Sequence, residues 1–376
     1  MFVKELSLRD FRSYSQVSVA FPPGVSTLLG SNGQGKTNLV EALAYVSTLG
    51  SHRVASDAPL IRRGAESAAV KAVVSHAERD IELQIEIDSQ RPNKAQLNRS
   101  PLKRPRDLLG YLNVVVFAPE DLSLVKGDPS DRRHFLDQTL IAMSPRLAAT
   151  RSDLDRVLKQ RNALLKTAQH AARRSTEAVM HTIEAWDAQF ARLSAQLVLE
   201  RLALIDALLP FAEDRYQLVS DDRGPFFMRY ECSLPDAPAQ RDEAIWEEAY
   251  REALAARRHD EIDRGITLVG PHRDELAIEV RELPVKGYAS HGESWSAALT
   301  LRLAAFELLR RDRAGGDPVL ILDDVFAELD SRRRMRLAEI ADSAEQTFVT
   351  AAVPEDVPSQ LRGARFDVAG GVVTRV

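Results

Sequence analysis

The sequence predicts an α/β fold in which a helical segment interrupts the sheet domain, and three observations carry that prediction. A buried strand, a glycine-rich loop and a helix follow one another between residues 25 and 49. A second apolar run, residues 319–322, ends in the paired acids Asp323 and Asp324. Between the two, from about residue 132 onward, the hydrophobic period lengthens from two to that of a helix.

A chain of 376 residues, at roughly 150 per domain, is expected to form two or three domains and to build its core without metals or disulfides. Apolar residues make up 44% and charged residues 28%, which excludes a collagen-like, disulfide-scaffold or wholly disordered chain. Cys232 is the single cysteine, so an internal disulfide and a cysteine-rich zinc site are both excluded, and a reducing, cytoplasmic setting is expected. The first ten residues carry charges where a secretory signal would be apolar, and no run approaches the roughly 20 apolar residues of a membrane span, so no membrane role is expected. Lys plus Arg number 50 against 55 Asp plus Glu, a net charge of -5, so attraction to nucleic acid must come from local patches.

Along the chain, residues 2–8, 17–21 and 25–29 read as strands separated by turns, and residues 37–49 have helical composition. Ile81, Leu83, Ile85 and Ile87 alternate with Glu82, Gln84 and Glu86, the pattern of a half-buried strand, while residues 114–117 read as a strand buried on both faces. Leu154, Val157, Leu158, Arg161, Leu164, Leu165 and Ala168 then fall at helical spacing, as do Val179, Ile183, Trp186, Phe190, Leu193 and Leu197. These are two long helices, either core elements of a helical lobe or a short antiparallel coiled-coil arm. Strand-like segments return at residues 226–230, 276–280, 319–322 and 347–350, so the C-terminal part completes the sheet domain.

Gly30, Ser31, Asn32, Gly33, Gln34, Gly35, Lys36 and Thr37 fit the GxxxxGK[ST] phosphate loop, in the strand–loop–helix setting that the chemistry requires. Glycines let backbone N–H groups turn inward around phosphates, Lys36 can reach the β- and γ-phosphates, and the Thr37 hydroxyl can ligate Mg²⁺. Such a site needs a carboxylate at the end of a second buried strand. Asp323 supplies it as the expected Mg²⁺ carboxylate, and Asp324 is placed to orient or deprotonate an attacking water. Lys36 and Asp323 lie 323 − 36 = 287 positions apart, too far for one α/β unit, which independently calls for an inserted lobe.

Ahead of the acid strand, Ser290, His291, Gly292 and Glu293 form a Ser-x-Gly-Glu turn before a helix, and Ala327, Glu328, Leu329 and Asp330 follow it. In that order the segments resemble the signature motif, acid strand and D-loop of ABC-type ATPases, among them the SMC proteins. The resemblance implies that Ser290 and Gly292 face the γ-phosphate bound by an opposite subunit, so that the active unit is a homodimer with ATP in its seam. Residues 119–137, 320–337, 8–14 and 270–276 are more specifically similar to the RecF family, and together they span nearly the whole chain. That likeness implies an ABC/SMC-like P-loop ATPase head without a long coiled-coil arm, formed by residues 1–128 and 300–376, and a mainly helical second lobe, residues 129–299, carrying the signature motif.

The same resemblance implies ATP and Mg²⁺ as cofactors, a slow DNA-stimulated ATPase acting as a switch, and a dimer that grips DNA near single-strand gaps. It also implies RecR as partner, with RecA loading and SOS induction as the outcome. The chain departs from the wider ABC pattern at Asp324, where many relatives carry glutamate, and at the switch-histidine position, where residues 348–352 offer only Thr350. A transporter ATPase would share the nucleotide motifs but needs a membrane partner, and a metabolic P-loop kinase would have little use for the Ser290 loop. Two basic runs are candidate DNA surfaces: Arg91, Lys94, Arg99, Lys103, Arg104 and Arg106, with no acid among them, expected on a hairpin of the head domain, and Arg332, Arg333, Arg334 and Arg336 after the D-loop. Arg132 and Arg133 are open to a dimer seam or a lobe contact. No zinc-finger or aromatic RNA-recognition motif is present, so DNA is expected to be read by shape and phosphate charge.

Overall fold

The computed structural model describes residues 1–77, 79–170, 176–220, 224–311 and 316–376, side chains at 170 and 176–180 excepted. Strands β1 (Phe2–Phe11), β2 (Tyr14–Ala20) and β3 (Gly24–Leu29) precede helix α1 (Lys36–Thr48). Then come β4 (Ser67–His76), β5 (Arg79–Asp88), β6 (Lys94–Leu97), β7 (Ser100–Pro101) and β8 (Val114–Phe117), followed by α2 (Ser123–Lys126), α3 (Pro129–Met143), α4 (Leu147–His170) and α5 (Thr176–Val219). After β9 (Phe226–Glu231), α6 (Glu243–Arg264), β10 (Glu275–Val280) and β11 (Leu283–Pro284) stand α7 (Val285–Tyr288) and α8 (His291–Arg311). The last elements are β12 (Val319–Asp323), α9 (Ser331–Ser343), β13 (Gln346–Ala351), β14 (Ala364–Ala369) and β15 (Val372–Arg375).

The chain divides into two compact units. The first comprises residues 1–125, 210–225 and 287–376; the second comprises 126–209 and 226–286. In the first, an antiparallel sheet runs β2-β1-β4-β5-β6-β7, and a second sheet, parallel except for its β14–β15 hairpin, runs β15-β14-β3-β13-β12-β8. Helix α1 packs against β1, β4 and β5 of one sheet and against β8, β12 and β13 of the other. That position explains its composition: Leu39, Val40, Ala42, Leu43, Ala44, Tyr45 and Val46 are all buried, as befits a helix covered on most sides.

The boundary expected at residue 300 lies earlier, because α8 packs on β8. Trp295 meets the Phe117 ring edge-on at 5.7 Å, and Arg302 pairs with Asp121 at 2.7 Å. The signature turn therefore belongs to the sheet unit and not to the helical one. Residues 210–225 join the sheet unit as well: the Val219 carbonyl accepts from Arg333 at 3.2 Å, and Arg215 pairs with Glu307 at 3.7 Å. Among the described residues no helix is long and apolar enough to cross a membrane.

In the second unit the two long helices are lobe elements, not a two-helix arm, since α4 packs on α6 and α3. Arg161, at a position of the apolar stripe of α4, is fully buried and explains how the three helices meet. Its guanidinium donates to Asp187 of α5 (2.7 Å), to Glu261 of α6 (2.6 Å) and to the Thr267 hydroxyl (2.8 Å). Arg201, also buried, is held by both oxygens of Asp137 (2.8 and 2.9 Å) and by the Pro271 carbonyl. Arg132 and Arg133 are likewise spent inside this unit, on Glu275 (2.6 Å) and on the Asp274 carbonyl (2.7 Å). Removing one partner of a buried ion pair strands the other without its water, so Arg161→Ala should destabilise this unit by about 3–5 kcal/mol. Urea unfolding followed by tryptophan fluorescence measures this, and a midpoint equal to wild type would show that the buried network carries no stability.

Candidate functional site

The site is built where two parallel strands of the second sheet deliver their carboxyl ends. Strand β3 runs into the phosphate loop, β12 ends at Asp323, and β13 lies hydrogen-bonded between them with Thr350 in register with Asp323. Lys36 and Thr37 open α1, so the amino terminus of a 13-residue helix points at the loop. Ser31, Asn32 and Gly33 are exposed, Gln34 is half-buried, and Gly35 and Lys36 are buried beneath them.

Two glycines are fixed by sterics. A Cβ at Gly30 would lie 2.2 Å from the Val368 carbonyl oxygen. Gly35 takes φ +109°, and a Cβ there would meet the Tyr14 hydroxyl at 2.7 Å. Tyr14 donates to the Gly35 carbonyl at 3.1 Å, which ties residues 8–14 to the phosphate loop. From the opposite side Gln34 accepts from the Gly370 N–H at 2.8 Å, so the β14–β15 turn braces the loop as well. The Lys36 ammonium lies inside the loop's curve, donating to the carbonyls of Gly30 (2.7 Å) and Ser31 (3.4 Å).

The predicted acid and hydroxyl do meet. Thr37 Oγ1 donates to Asp323 Oδ1 at 3.1 Å, across 286 residues of sequence. Thr350 donates to the same oxygen at 2.6 Å and accepts from the Asp324 N–H at 2.9 Å. Asp323 is 3% exposed. Burial, reinforced by the Asp324 carboxylate, pushes its pKa up to about 6 against the hydrogen bonds from Thr350 and Thr37. A carboxylate so placed is stabilised by a cation, and the hard oxygens of Thr37 and Asp323 suit Mg²⁺. Among the described residues no group of three or more His, Cys, Asp and Glu can hold a metal alone, so the remaining ligands would be phosphate oxygens and water. Asp324 is half-buried and sits at φ 52°, an uncommon backbone for a residue with a side chain and one that concentrates at functional sites.

Ser290 and Gly292 stand elsewhere in the same unit, at the start of α8. Ser290 and Glu293 form a reciprocal cap: the Ser290 N–H donates to Glu293 Oε2 (2.8 Å) and the Glu293 N–H to Ser290 Oγ (3.3 Å). The Ser294 hydroxyl closes the turn on the Ser290 carbonyl (2.8 Å). Ser290 is exposed, and the Arg333 guanidinium lies beside Gly292, 3.4 Å from where a Cβ would stand. The turn is thus an outward-facing helix terminus, ordered by these three local hydrogen bonds.

Sequence reasoning overlooked two contributors, Glu41 and Arg302, and named Thr350 only at the switch-histidine position. Thr350 is the link between the two acids. Glu41, fully buried on α1, would be raised by burial, but the two-pronged Arg12 contact (2.6 and 2.8 Å), with Ser51 and Arg53, holds its carboxyl below the ordinary range. Arg302 on α8 donates twice to Asp121 (2.9 and 2.7 Å), which anchors the signature helix to the segment after β8. Both carried a signal of a kind: a charged residue at a position whose helical neighbours are buried.

Comparison with known proteins accords with this geometry. The chain matches the family described as RecF/RecN/SMC N terminal domain over residues 2–360. It is 54% identical over 377 residues to a protein of Streptomyces avermitilis named DNA replication and repair protein RecF, and 53% identical over 378 residues to one of the same name from Frankia alni. Both alignments cover 100% of each chain. Among solved structures, the recombination mediator protein RecF-ATPrS of the RecFOR pathway superposes with a TM-score of 0.89 at 26% identity, covering 100% of this chain and 98% of the other. With full-length relatives above half identity and the same head architecture, the chain belongs to the RecF family.

Proposed function

We propose that the protein is an ATP-driven DNA clamp of recombinational repair and replication. ATP closes two copies into a dimer that grips DNA near single-strand gaps, and slow hydrolysis, stimulated by DNA, releases it. The observation that carries this reading is the Thr37–Asp323–Thr350 node, a nucleotide-metal corner beside a phosphate loop in a chain of the RecF family. The relatives' names, which join DNA replication and repair to the RecFOR pathway, support the biological setting. In that setting RecR is the partner, and RecA loading with SOS induction is the outcome in the cytoplasm.

Each residue's part follows from its position. Loop N–H groups and the amino terminus of α1 surround the phosphates, and the Lys36 ammonium turns from the Gly30 carbonyl to the β- and γ-phosphate oxygens. Thr37 and Asp323 would hold Mg²⁺, which neutralises charge on the phosphates when bound. Asp324 orients the attacking water and accepts its proton. Its side chain is one methylene shorter than glutamate, so it holds the water less closely, which fits slow turnover. Ser290, Gly292 and the amino terminus of α8, already ordered by the Glu293 cap, supply donors to the γ-phosphate held by the other copy.

Two variants test the two halves of the site. Lys36→Ala removes a charge-assisted contact to phosphate and should lower ATP affinity about 100-fold in equilibrium binding of a fluorescent nucleotide; unchanged affinity would refute the phosphate-loop assignment. Ser290→Arg should leave ATP binding by the monomer at wild-type strength while abolishing the dimer seen by sedimentation with a non-hydrolysable analogue. A wild-type dimer in that variant would contradict the cross-subunit role.

A further inference from the structure

The structure separates two runs of cations that the sequence leaves equivalent. After the D-loop the arginines are occupied. Asp330 caps α9 and accepts from the Arg332 and Arg333 N–H groups, and it also pairs with the Arg333 guanidinium. Arg333 further donates to Val219 and Ser296, Arg334 to the Leu329 carbonyl at 3.3 Å, and Arg336 pairs with Glu339 at 3.1 Å. Three of the four side chains in that run are tied to the fold.

The run from 89 to 106 is different. It holds six cations and no acid, in a chain where acids outnumber bases by 55 to 50. Arg91, Lys94, Arg99, Lys103 and Arg104 are exposed. Among the described residues, Arg91, Lys94, Lys103, Arg104 and Arg106 have no carboxylate within 4.0 Å, and Arg99 has only Glu82, at 3.7 Å, while remaining 86% exposed. Several exposed arginines elsewhere are paired, as Arg62 is with Asp10, Arg156 with Asp153, Arg241 with Asp206 and Arg257 with Asp260.

The frame under these cations is stiff. Strands β6 and β7 form a hairpin on the β5 side of the antiparallel sheet, closed by a two-residue turn in which Asn98 and Arg99 both have positive φ (49° and 66°). Asn98 fastens the turn to β5 by exchanging two 2.8 Å hydrogen bonds with the Glu82 backbone. At the other end, Asp88 caps the N–H groups of Gln90 and Arg91, and Asn93 donates to Asp57 at 2.7 Å. Ala95 is buried, so Lys94 and Gln96 point to the opposite, solvent face. From Lys94 to Leu97 the strand spans about 10 Å, the axial length of about three phosphates on one DNA strand.

We propose that the β6–β7 hairpin and the segment following it are the surface that holds the phosphate backbone of duplex DNA. The proposal rests on the clamp reading above and adds to it the contact residues. Residues 89–106 contain no aromatic side chain, so the surface lacks the stacking platform that single strands require and matches a duplex, whose phosphates are regularly spaced.

The test uses the full chain with a non-hydrolysable ATP analogue, and measures affinity for duplex, gapped and single-stranded DNA across a series of salt concentrations. The hairpin variant is Lys94→Gln/Arg99→Gln/Lys103→Gln/Arg104→Gln. The control, Arg156→Gln/Arg241→Gln/Arg251→Gln/Arg257→Gln, changes net charge equally at paired, exposed arginines. The hairpin variant should keep wild-type analogue binding and dimer mass. Its duplex affinity should fall about tenfold or more, with the slope of log affinity against log salt shallower by about 3–4, since each lost phosphate contact removes about 0.9. The control should bind duplex as wild type does. If wild type binds DNA and the hairpin variant matches it in affinity and slope, the surface is wrong and the clamp stands. A loss confined to single-stranded DNA, or an equal loss in the control, also overturns the assignment. If wild type binds no DNA in any form, the clamp reading fails and the surface with it.

Discussion

Asp323 sits almost without solvent at the carboxyl end of β12, and an ionised carboxylate can stay there only if donors or a cation answer it. That requirement organises the head. It demands a hydroxyl on the neighbouring strand in register with the acid, which Thr350 of β13 supplies, and a second at the start of the helix leaving the next strand, which Thr37 of α1 supplies. The order β3-β13-β12 follows, and with it the separation of one intervening strand between the phosphate loop and the acids. The two halves of the corner are 286 residues apart in sequence, and the chain between them forms further strands and the helical unit.

Much of this was legible in the sequence, and the limits have physical causes. The phosphate loop, the acid strand and the strands at 25–29, 114–117 and 319–322 were readable because a parallel strand buried on both faces is a short apolar run, and the glycines of the loop admit few alternatives. Strand β4 was missed, since its alternation of Ala and Val with Ala, Lys and Val has too little polar contrast to register. The hairpin expected around residues 91–106 is present as β6–β7, but its strand bounds and the β14–β15 pair were missed, since strands of two to six residues leave little period to read. Placing the signature helix with the helical lobe failed because composition cannot say that Trp295 meets Phe117. The partner of α4 was likewise invisible, since its contact with α6 runs through a buried arginine and two acids, residues that by type belong on a surface.

Three sets of cations among the described residues play distinct parts, and only the structure tells them apart. Buried Arg161 and Arg201 tie segments distant in sequence, at positions where losing one partner leaves uncompensated charge. Arg12, Arg302 and Arg333 hold the nucleotide helix, the signature helix and the helix after the D-loop to their neighbours through two or more hydrogen bonds each. The exposed cations of the hairpin do neither, which leaves their charge available to a ligand outside the chain.

The claim that the Thr37–Asp323–Thr350 node is the metal-nucleotide corner is tested most directly by titrating Mg²⁺ into ATP-binding assays of wild type, Thr350→Val and Thr350→Ser. Thr350 holds the Asp323 oxygen, and outer partners of this kind set metal affinity by about 10- to 100-fold. The account predicts that Thr350→Val needs about tenfold or more Mg²⁺ for half-maximal ATP binding, that Thr350→Ser restores the wild-type requirement, and that affinity without Mg²⁺ is the same in all three. An unchanged Mg²⁺ requirement in Thr350→Val would contradict it.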